Sequence, residues 1–318
     1  MFKKIKLLRN LFKIYRYDYN NDIKYSSCLR GKHQDKETLL AFAAVEAHTI
    51  EKGLTMPEKR FNFGHAKIKA IAKELLYCAK HFDTSGDRFE DIVGILKEYV
   101  QWHRENGIVI TDEEVKQLLN AIVQKFPDIN PATQVYDETR EHYFANANAD
   151  FKNFAFSRHS CRNLSGKVNE KDLRNALELA LSTVPSTCNR QSVRVHVLAS
   201  KTILDIQKGN RGFGHLADKF LLITSTLTHW PSGSQRNAPY VDGGIFLMNL
   251  LYALHYYKIG AVTLNMYLGI TGTERIHKEL DIPNNELPIV LVAIGTPPEK
   301  FDLARSRRRT FDSIVTYH

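Results

Sequence analysis

The stretch from Tyr240 to Tyr257 constrains the fold most. Ile245, Phe246, Leu247, Met248, Leu250, Leu251, Ala253 and Leu254 leave it apolar on nearly every helical face. Such a helix must be buried on most of its sides, because uncovered apolar area costs about 25 cal/mol per Å². The elements to cover it lie around it in sequence. Residues 193–198, 220–227, 261–266 and 288–294 read as strands, rich in Val, Ile, Leu and Phe. Asn169 is a plausible N-cap for another helix, with Glu170 and Asp172 in its first turn where the helix dipole favours acids. This order predicts an α+β domain, with a mixed sheet flanked by helices and a central buried helix.

Two polar segments precede that helix. Arg158, Ser160 and Arg162 alternate, so in an extended chain they project from one face. Two forked, charge-assisted donors beside a hydroxyl suit a phosphate or a polyol phosphate. A helical stretch then ends in Pro185-Ser186-Thr187-Cys188-Asn189-Arg190-Gln191, a loop of small polar groups able to bring amides and backbone N–H groups to a flat heterocycle.

At these residues the chain resembles the FMN-dependent nitroreductase family, whose signature is Arg-x-Ser-x-Arg/Lys followed after one helix by Pro-Ser-Ser-x-Asn-x-Gln. The similarity covers about residues 151–318. Lys208-Gly209-Asn210-Arg211-Gly212 resembles the segment where the family places an Asn near the flavin pyrimidine; the plainer reading of Asn210 is a turn residue. Val241-Asp242-Gly243-Gly244 resembles the opening of the family's central helix. Gly260-Ala261-Val262-Thr263-Leu264-Asn265 is similar to its segment passing over the flavin. Arg307-Arg308-Arg309-Thr310 resembles its basic tail.

The resemblance implies an FMN-dependent oxidoreductase, a homodimer with FMN at the subunit interface. Hydride would pass ping-pong from NADH or NADPH through flavin N5 to a nitro, quinone or enone acceptor, and no protein side chain would be catalytic. It implies cofactor contacts from Arg158, His159, Ser160, Arg162, Pro185, Ser186, Thr187, Asn189, Gln191, Asn210, Thr263, Leu264, Arg307, Arg308 and Arg309. Four positions depart from the pattern: Ser192 and Val193 stand where Pro and an aromatic usually follow the Gln, Phe213 replaces a frequent Lys, and Thr310 stands where the tail usually has Pro. The resemblance therefore implies FMN more strongly than nitroreduction. Other expectations are a dedicated flavin-dependent step in a biosynthetic pathway such as polysaccharide metabolism, or a non-catalytic flavin-binding protein at a membrane surface.

The chain has 318 residues, 43% hydrophobic and 25% charged, enough for two domains. Cys28, Cys78, Cys161 and Cys188 are scattered without a CxxC pair, and no HExxH motif occurs. This favours reduced thiols in the cytoplasm over disulfides or zinc, and no metal is expected. The formal charge of +9 has no nucleic-acid motif beside it, so nucleic acid is not expected as a partner.

Residues 1–30 read as a basic amphipathic arm. Ile5, Leu8, Leu11, Phe12 and Tyr15 share a face, with Lys6, Arg9, Lys13 and Arg16 on the other side. Residues 1–16 could touch an anionic membrane or dock on their own domain or a partner subunit; 17–36 read as a polar connector. Residues 31–150 read as a helical region, with stripes over 38–50, 65–81, 89–104 and 112–126. The segment His48 to Gly64 interrupts it, with Gly53 and Pro57 as a helix stop, and its Glu51-Lys52-Gly53-Leu54 start resembles a segment preceding the domain in longer family members. His48 beside Glu51 reads as a hydrogen-bonded pair rather than a metal pair.

Overall fold

The computed structural model describes residues 2–25, 31, 33, 35–132, 135–199, 201–230, 233–304 and 306–318. Cys28 and Arg305 lie outside them. Two compact units result: Tyr17–Tyr136 with Leu303–His318, and Met1–Arg16 with Asp137–Asp302. The expected division at residues 30 and 150 was linear. The observed one sets its main boundary at 136/137 and groups residues 303–318 with the helices.

A first helix, α1 (Phe2–Tyr25), runs through the stretch 17–25 that reads as a connector. The helical unit then contains α2 (Lys36–Leu54), α3 (His65–His81), α4 (Asp87–Glu105) and α5 (Glu113–Lys125). Asp35 caps α2 by accepting from Thr38 N, and Asp112 caps α5 by accepting from Val115 N. Helix α2 packs on α3 and α4, and α3 on α5. The apolar stripe expected on α3 is the buried one: Ile68, Ile71 and Leu75 are inside, with Leu76 at the edge of the core.

The interruption after α2 is shaped by close packing. A Cβ on Gly53 would lie 2.1 Å from Phe63 Cε2. The Phe63 carbonyl in turn accepts from the buried Tyr99 hydroxyl at 3.0 Å. Gly53→Ala should therefore destabilise the protein by about 1–3 kcal/mol, the usual cost of overpacking. A denaturant midpoint equal to that of the wild type would contradict this reading.

The second unit is built on four strands, β2 (Val193–Leu198), β3 (Lys219–Thr226), β4 (Gly260–Asn265) and β5 (Glu286–Gly295), in the order β2-β3-β5-β4. Each of its ladders is antiparallel. A smaller sheet pairs β1 (Val135–Thr139) with β6 (Lys300–Ala304). Helices α6 (Glu170–Thr183) and α7 (Ala238–Tyr256) pack on each other, and α7 also packs on the sheet; α8 is Gly269–Glu279. Asn169 caps α6 through Lys171 N and Asp172 N. Leu221, Ile223, Val290, Val292 and Ile294 of the sheet meet Phe246, Leu250 and Leu254 of α7. Phe220 and Leu222 on the opposite face of β3 are buried too, which is why β3 reads as a continuous apolar run.

Helix α7 is central but not wholly enclosed. Val241 and Ile245 are 57% and 43% exposed, on the side where Gly244 and Met248 also lie. Among the described residues, no helix is long and apolar enough to cross a membrane, and no group of three or more His, Cys, Asp or Glu could hold a metal ion.

Candidate functional site

The Arg158–Arg162 segment leaves a short helix, Phe151–Ser157, in extended conformation and follows the β4 edge. Cys161 N donates to Ala261 O at 2.9 Å, and Gly166 exchanges two backbone bonds with Thr296. Cys161 points inward, fully buried, and burial pushes its thiol up to about 12. Its neighbours Ser160 and Arg162 are half-buried, as alternation requires. Tyr143 fixes the strand by donating to His159 O at 2.6 Å. The Nε of Arg158 is shielded from solvent and has no hydrogen-bond partner among the described residues.

The N-terminal end of this segment is pinned to the last turn of α7. Ser157 Oγ lies 2.8 Å from His255 Nε2 and donates to Phe154 O at 2.9 Å. One hydroxyl proton cannot serve both, so the consistent assignment has Nε2–H donating to Ser157. His255 is buried among Tyr143, Phe144 and Phe154. Burial, with smaller contributions from the charges of Arg158 and His159, pushes its pKa down to about 4.

The Pro185–Gln191 loop is strained. Cys188, Asn189 and Gln191 have φ of 50°, 53° and 50°, a left-handed region that ordinary L-residues avoid. Asp242, in the second turn of α7 and 2% exposed, holds the loop. Its carboxylate accepts from Thr187 N at 3.1 and 3.2 Å and from Thr187 Oγ1 at 2.7 Å. Ser186 Oγ accepts from Gln191 N, and Gln191 Nε2 donates to Asn189 Oδ1. Pro185 and Asn189 stay exposed, while Ser186 and Thr187 are half-buried. Ser192 is buried and accepts from Ser225 Oγ, itself bonded to Trp230 Nε1. That local network accounts for a small hydroxyl at this departure from the family pattern.

Asp242 and His255 therefore anchor the two signature segments at opposite ends of one helix, about 20 Å apart at 1.5 Å per residue. The remaining expected residues behave differently. Asn210 is 7% exposed, and its amide donates to Leu204 O and Gln207 O, the plainer role of a turn residue. Phe213 is buried beside it. Thr263 is half-buried and Leu264 buried in β4. Arg307, Arg308 and Arg309 belong to the helical unit. There Glu51 accepts from Ser306 N and Oγ, and Asp87 accepts from Thr310 N and from the Thr310 and Ser313 hydroxyls. Arg307 pairs with Asp91 at 3.3 Å and Arg309 with Glu37 at 3.8 Å, while Arg308 bonds the Ser306 carbonyl. His48 Nδ1 bonds the same Glu51 carboxylate, as expected of a hydrogen-bonded pair.

Sequence reasoning missed Asp242, His255, Glu51 and Asp87 as anchors. The one local signal is a lone acid in an otherwise apolar helix, which marks Asp242.

No family model matches the chain, and no curated protein matches it. Solved structures similar to it are nitroreductase-family proteins. One is a nitroreductase family protein from Streptococcus pneumoniae, 19% identical, covering 53% of this chain and 100% of that one with a TM-score of 0.46. Another, from Exiguobacterium sibiricum and classed provisionally as a nitroreductase, was solved in complex with FMN; it is 16% identical and covers 54% of this chain and 98% of that one, with a TM-score of 0.44. A nitroreductase from Lactococcus lactis in complex with chloramphenicol is 16% identical and covers 53% and 99%, with a TM-score of 0.42.

Proposed function

We propose that this chain is an FMN-dependent oxidoreductase that acts as a homodimer and uses NADH or NADPH to reduce a small electrophilic acceptor. The observation that carries the reading is the Arg158 guanidinium, whose shielded Nε–H lacks an acceptor among the described residues. A buried donor left unmade costs about 1–3 kcal/mol, and a phosphate or ribityl oxygen is the acceptor that would complete it. Arg158 would neutralise the phosphate, and Ser160 and Arg162 would hydrogen-bond the ribityl chain and the pyrimidine edge. The Pro185–Thr187 stretch would supply a rigid wall, and Asn189 a ring-edge hydrogen bond. FMN, when bound, supplies the hydride relay between nicotinamide and acceptor. The protein's part is binding, orientation and exclusion of water, so no side-chain nucleophile or base is required.

The same geometry supports the dimer. One chain holds its two signature segments about 20 Å apart along α7. The uncovered side of α7 between them carries Val241 and Ile245. Two α7 helices packed antiparallel about a two-fold axis would cover that stripe. They would also bring the Asp242-held loop of one protomer to the Ser157-held segment of its partner. Arg307 and Arg308 are assigned no phosphate contact here, since a carboxylate and a carbonyl of their own unit engage them; Arg309 pairs with Glu37 at 3.8 Å, but its Nε, like that of Arg158, is shielded without a partner among the described residues, so it stays a candidate anion contact.

The test is the visible absorption spectrum of the purified protein, before and after anaerobic NADH or NADPH. A flavin spectrum that bleaches supports the reading; a folded protein that fails to take up added FMN sinks it. Arg158→Ala should weaken FMN binding about 10- to 100-fold, the range for one charge-assisted contact. Titration by flavin fluorescence quenching would show this, and an unchanged affinity would remove Arg158 from the site.

A further inference from the structure

We propose that the outward face of α1 docks on an anionic lipid surface. Three faces follow one another around this helix at 100° per residue. On the first, Leu11 and Ile14 are half-buried against Gly233, where a Cβ would lie 2.3 Å from Leu11 Cδ2. This face ties the first half of α1 to the sheet-bearing unit. On the second, Ile5, Leu8, Phe12 and Tyr15 are 40%, 55%, 67% and 57% exposed. On the third, Lys6, Arg9 and Lys13 are exposed and form no ion pair among the described residues, and Arg16 lies at the border of the second and third faces in the same state. No Asp or Glu occurs in the sequence before Asp18.

The two alternatives left by the sequence, docking on the chain's own domain and contact with a membrane, are thus met by different faces of one helix. Docking consumes Leu11 and Ile14 and leaves an apolar arc bordered by cations. Charge selects the occupant. A second copy on this face would set basic border against basic border, which like-charge juxtaposition opposes. A nucleic acid would meet the cations and could stack bases on Phe12 and Tyr15, but it gives no partner to Ile5 and Leu8. An anionic bilayer meets both, taking the apolar arc into the headgroup–acyl boundary while the cations stay at the phosphates. Helix α1 then lies in the plane of the interface rather than across it, consistent with its charge and with the lack of a described spanning helix.

The test uses the full chain, sedimented with vesicles of phosphatidylcholine alone or with phosphatidylglycerol at roughly one lipid in three. Binding is expected to the anionic vesicles only, and to weaken as salt is raised. Leu8→Glu combined with Phe12→Glu should lower the vesicle partition coefficient about 100-fold or more, because two buried apolar side chains become repelled charges. Arg9→Gln with Lys13→Gln and Arg16→Gln should lower it at least about tenfold and flatten the salt dependence. Both variants keep Leu11 and Ile14, so circular dichroism and flavin uptake should match the wild type. Vesicle binding and flavin uptake are read separately, so either can fail alone. The proposal is overturned if the folded protein ignores anionic vesicles, or if Leu8→Glu with Phe12→Glu changes the oligomeric state without changing lipid binding. It is also overturned if the face retains single-stranded nucleic acid but no vesicle.

Discussion

Asp242→Ala should weaken FMN binding about 30- to 100-fold without unfolding the protein. The Asp242 carboxylate is 2% exposed and takes both the backbone N–H and the hydroxyl of Thr187. Hydrogen bonds to a charged acceptor contribute about 1.5–3 kcal/mol each, and the alanine leaves two donors without it. The loop they hold has Cys188, Asn189 and Gln191 in left-handed backbone, each at a cost of about 1–2 kcal/mol. Once released, that strain favours other conformations, and FMN must restore the bound shape from its own affinity. Losing 2–3 kcal/mol in this way corresponds to the stated range. Asp242→Asn keeps an acceptor and should fall between, and Thr187→Val, which removes only the hydroxyl, should cost least. Fluorescence-quenching titration gives the affinities and urea denaturation the global stability. A folded Asp242→Ala protein with wild-type affinity would mean that the loop does not touch the flavin.

The second large effect is on stability in mild acid. The His255 pKa is pushed from 6.5 down to about 4, first by burial and then by Arg158 and His159. Above pH 6.5 the imidazole is neutral in folded and unfolded chains alike, and it contributes no pH dependence. As the pH falls below that value the unfolded chain takes up a proton that the folded chain refuses. The stability attributable to this group then falls by about 1.4 kcal/mol per pH unit, reaching a total of about 3 kcal/mol near pH 4. Between pH 7 and pH 5 the loss should be about 2 kcal/mol. His255→Gln keeps a polar partner for Ser157 but carries no titrating proton. Its urea-denaturation stability should show a pH slope shallower by that amount, and parallel slopes for the two proteins would refute the assignment.

What the sequence made legible was local. Strand β2 is legible residue for residue because its apolar pattern is bounded by a polar loop on one side and a Lys-Thr turn at 201–202 on the other. Helix α3 was likewise read to its ends, and Asn169 was read as a cap because capping needs only the next three residues. The alternation at Ser160 and Arg162 survives in the structure because Cys161 turns inward between them, whereas His159 is half-buried like Arg158 and Ser160 on either side of it. What was not legible depends on distance along the chain. Thr187 meets Asp242 across 55 residues and Glu51 meets Ser306 across 255, and neither pairing leaves a periodic trace. Residues 17–25 misread as a connector because Tyr17, Asp18, Asn20, Asn21 and Asp22 are weak helix formers, yet α1 continues through them. The apolar character of α7 was clear. That one side of it is uncovered in a single chain was not, because a stripe awaiting a partner and a stripe in a core have the same composition.

The grouping of residues 303–318 with 17–136 makes the helical unit discontinuous, with the stretch 137–302 nested inside it. During vectorial synthesis the four helices α2 to α5 leave the ribosome well before residues 303–318, while Glu51 and Asp87 still lack the Ser306, Thr310 and Ser313 donors that occupy them in the finished fold. The buried Glu51 carboxylate then has His48 but not Ser306 as a partner, and its set of donors is completed only after the whole nested domain has been translated. The same arrangement bears on where the protein is cut in the laboratory. A fragment starting near residue 150 carries the basic tail without the carboxylates that order it, and one stopping near residue 136 leaves those carboxylates without their donors.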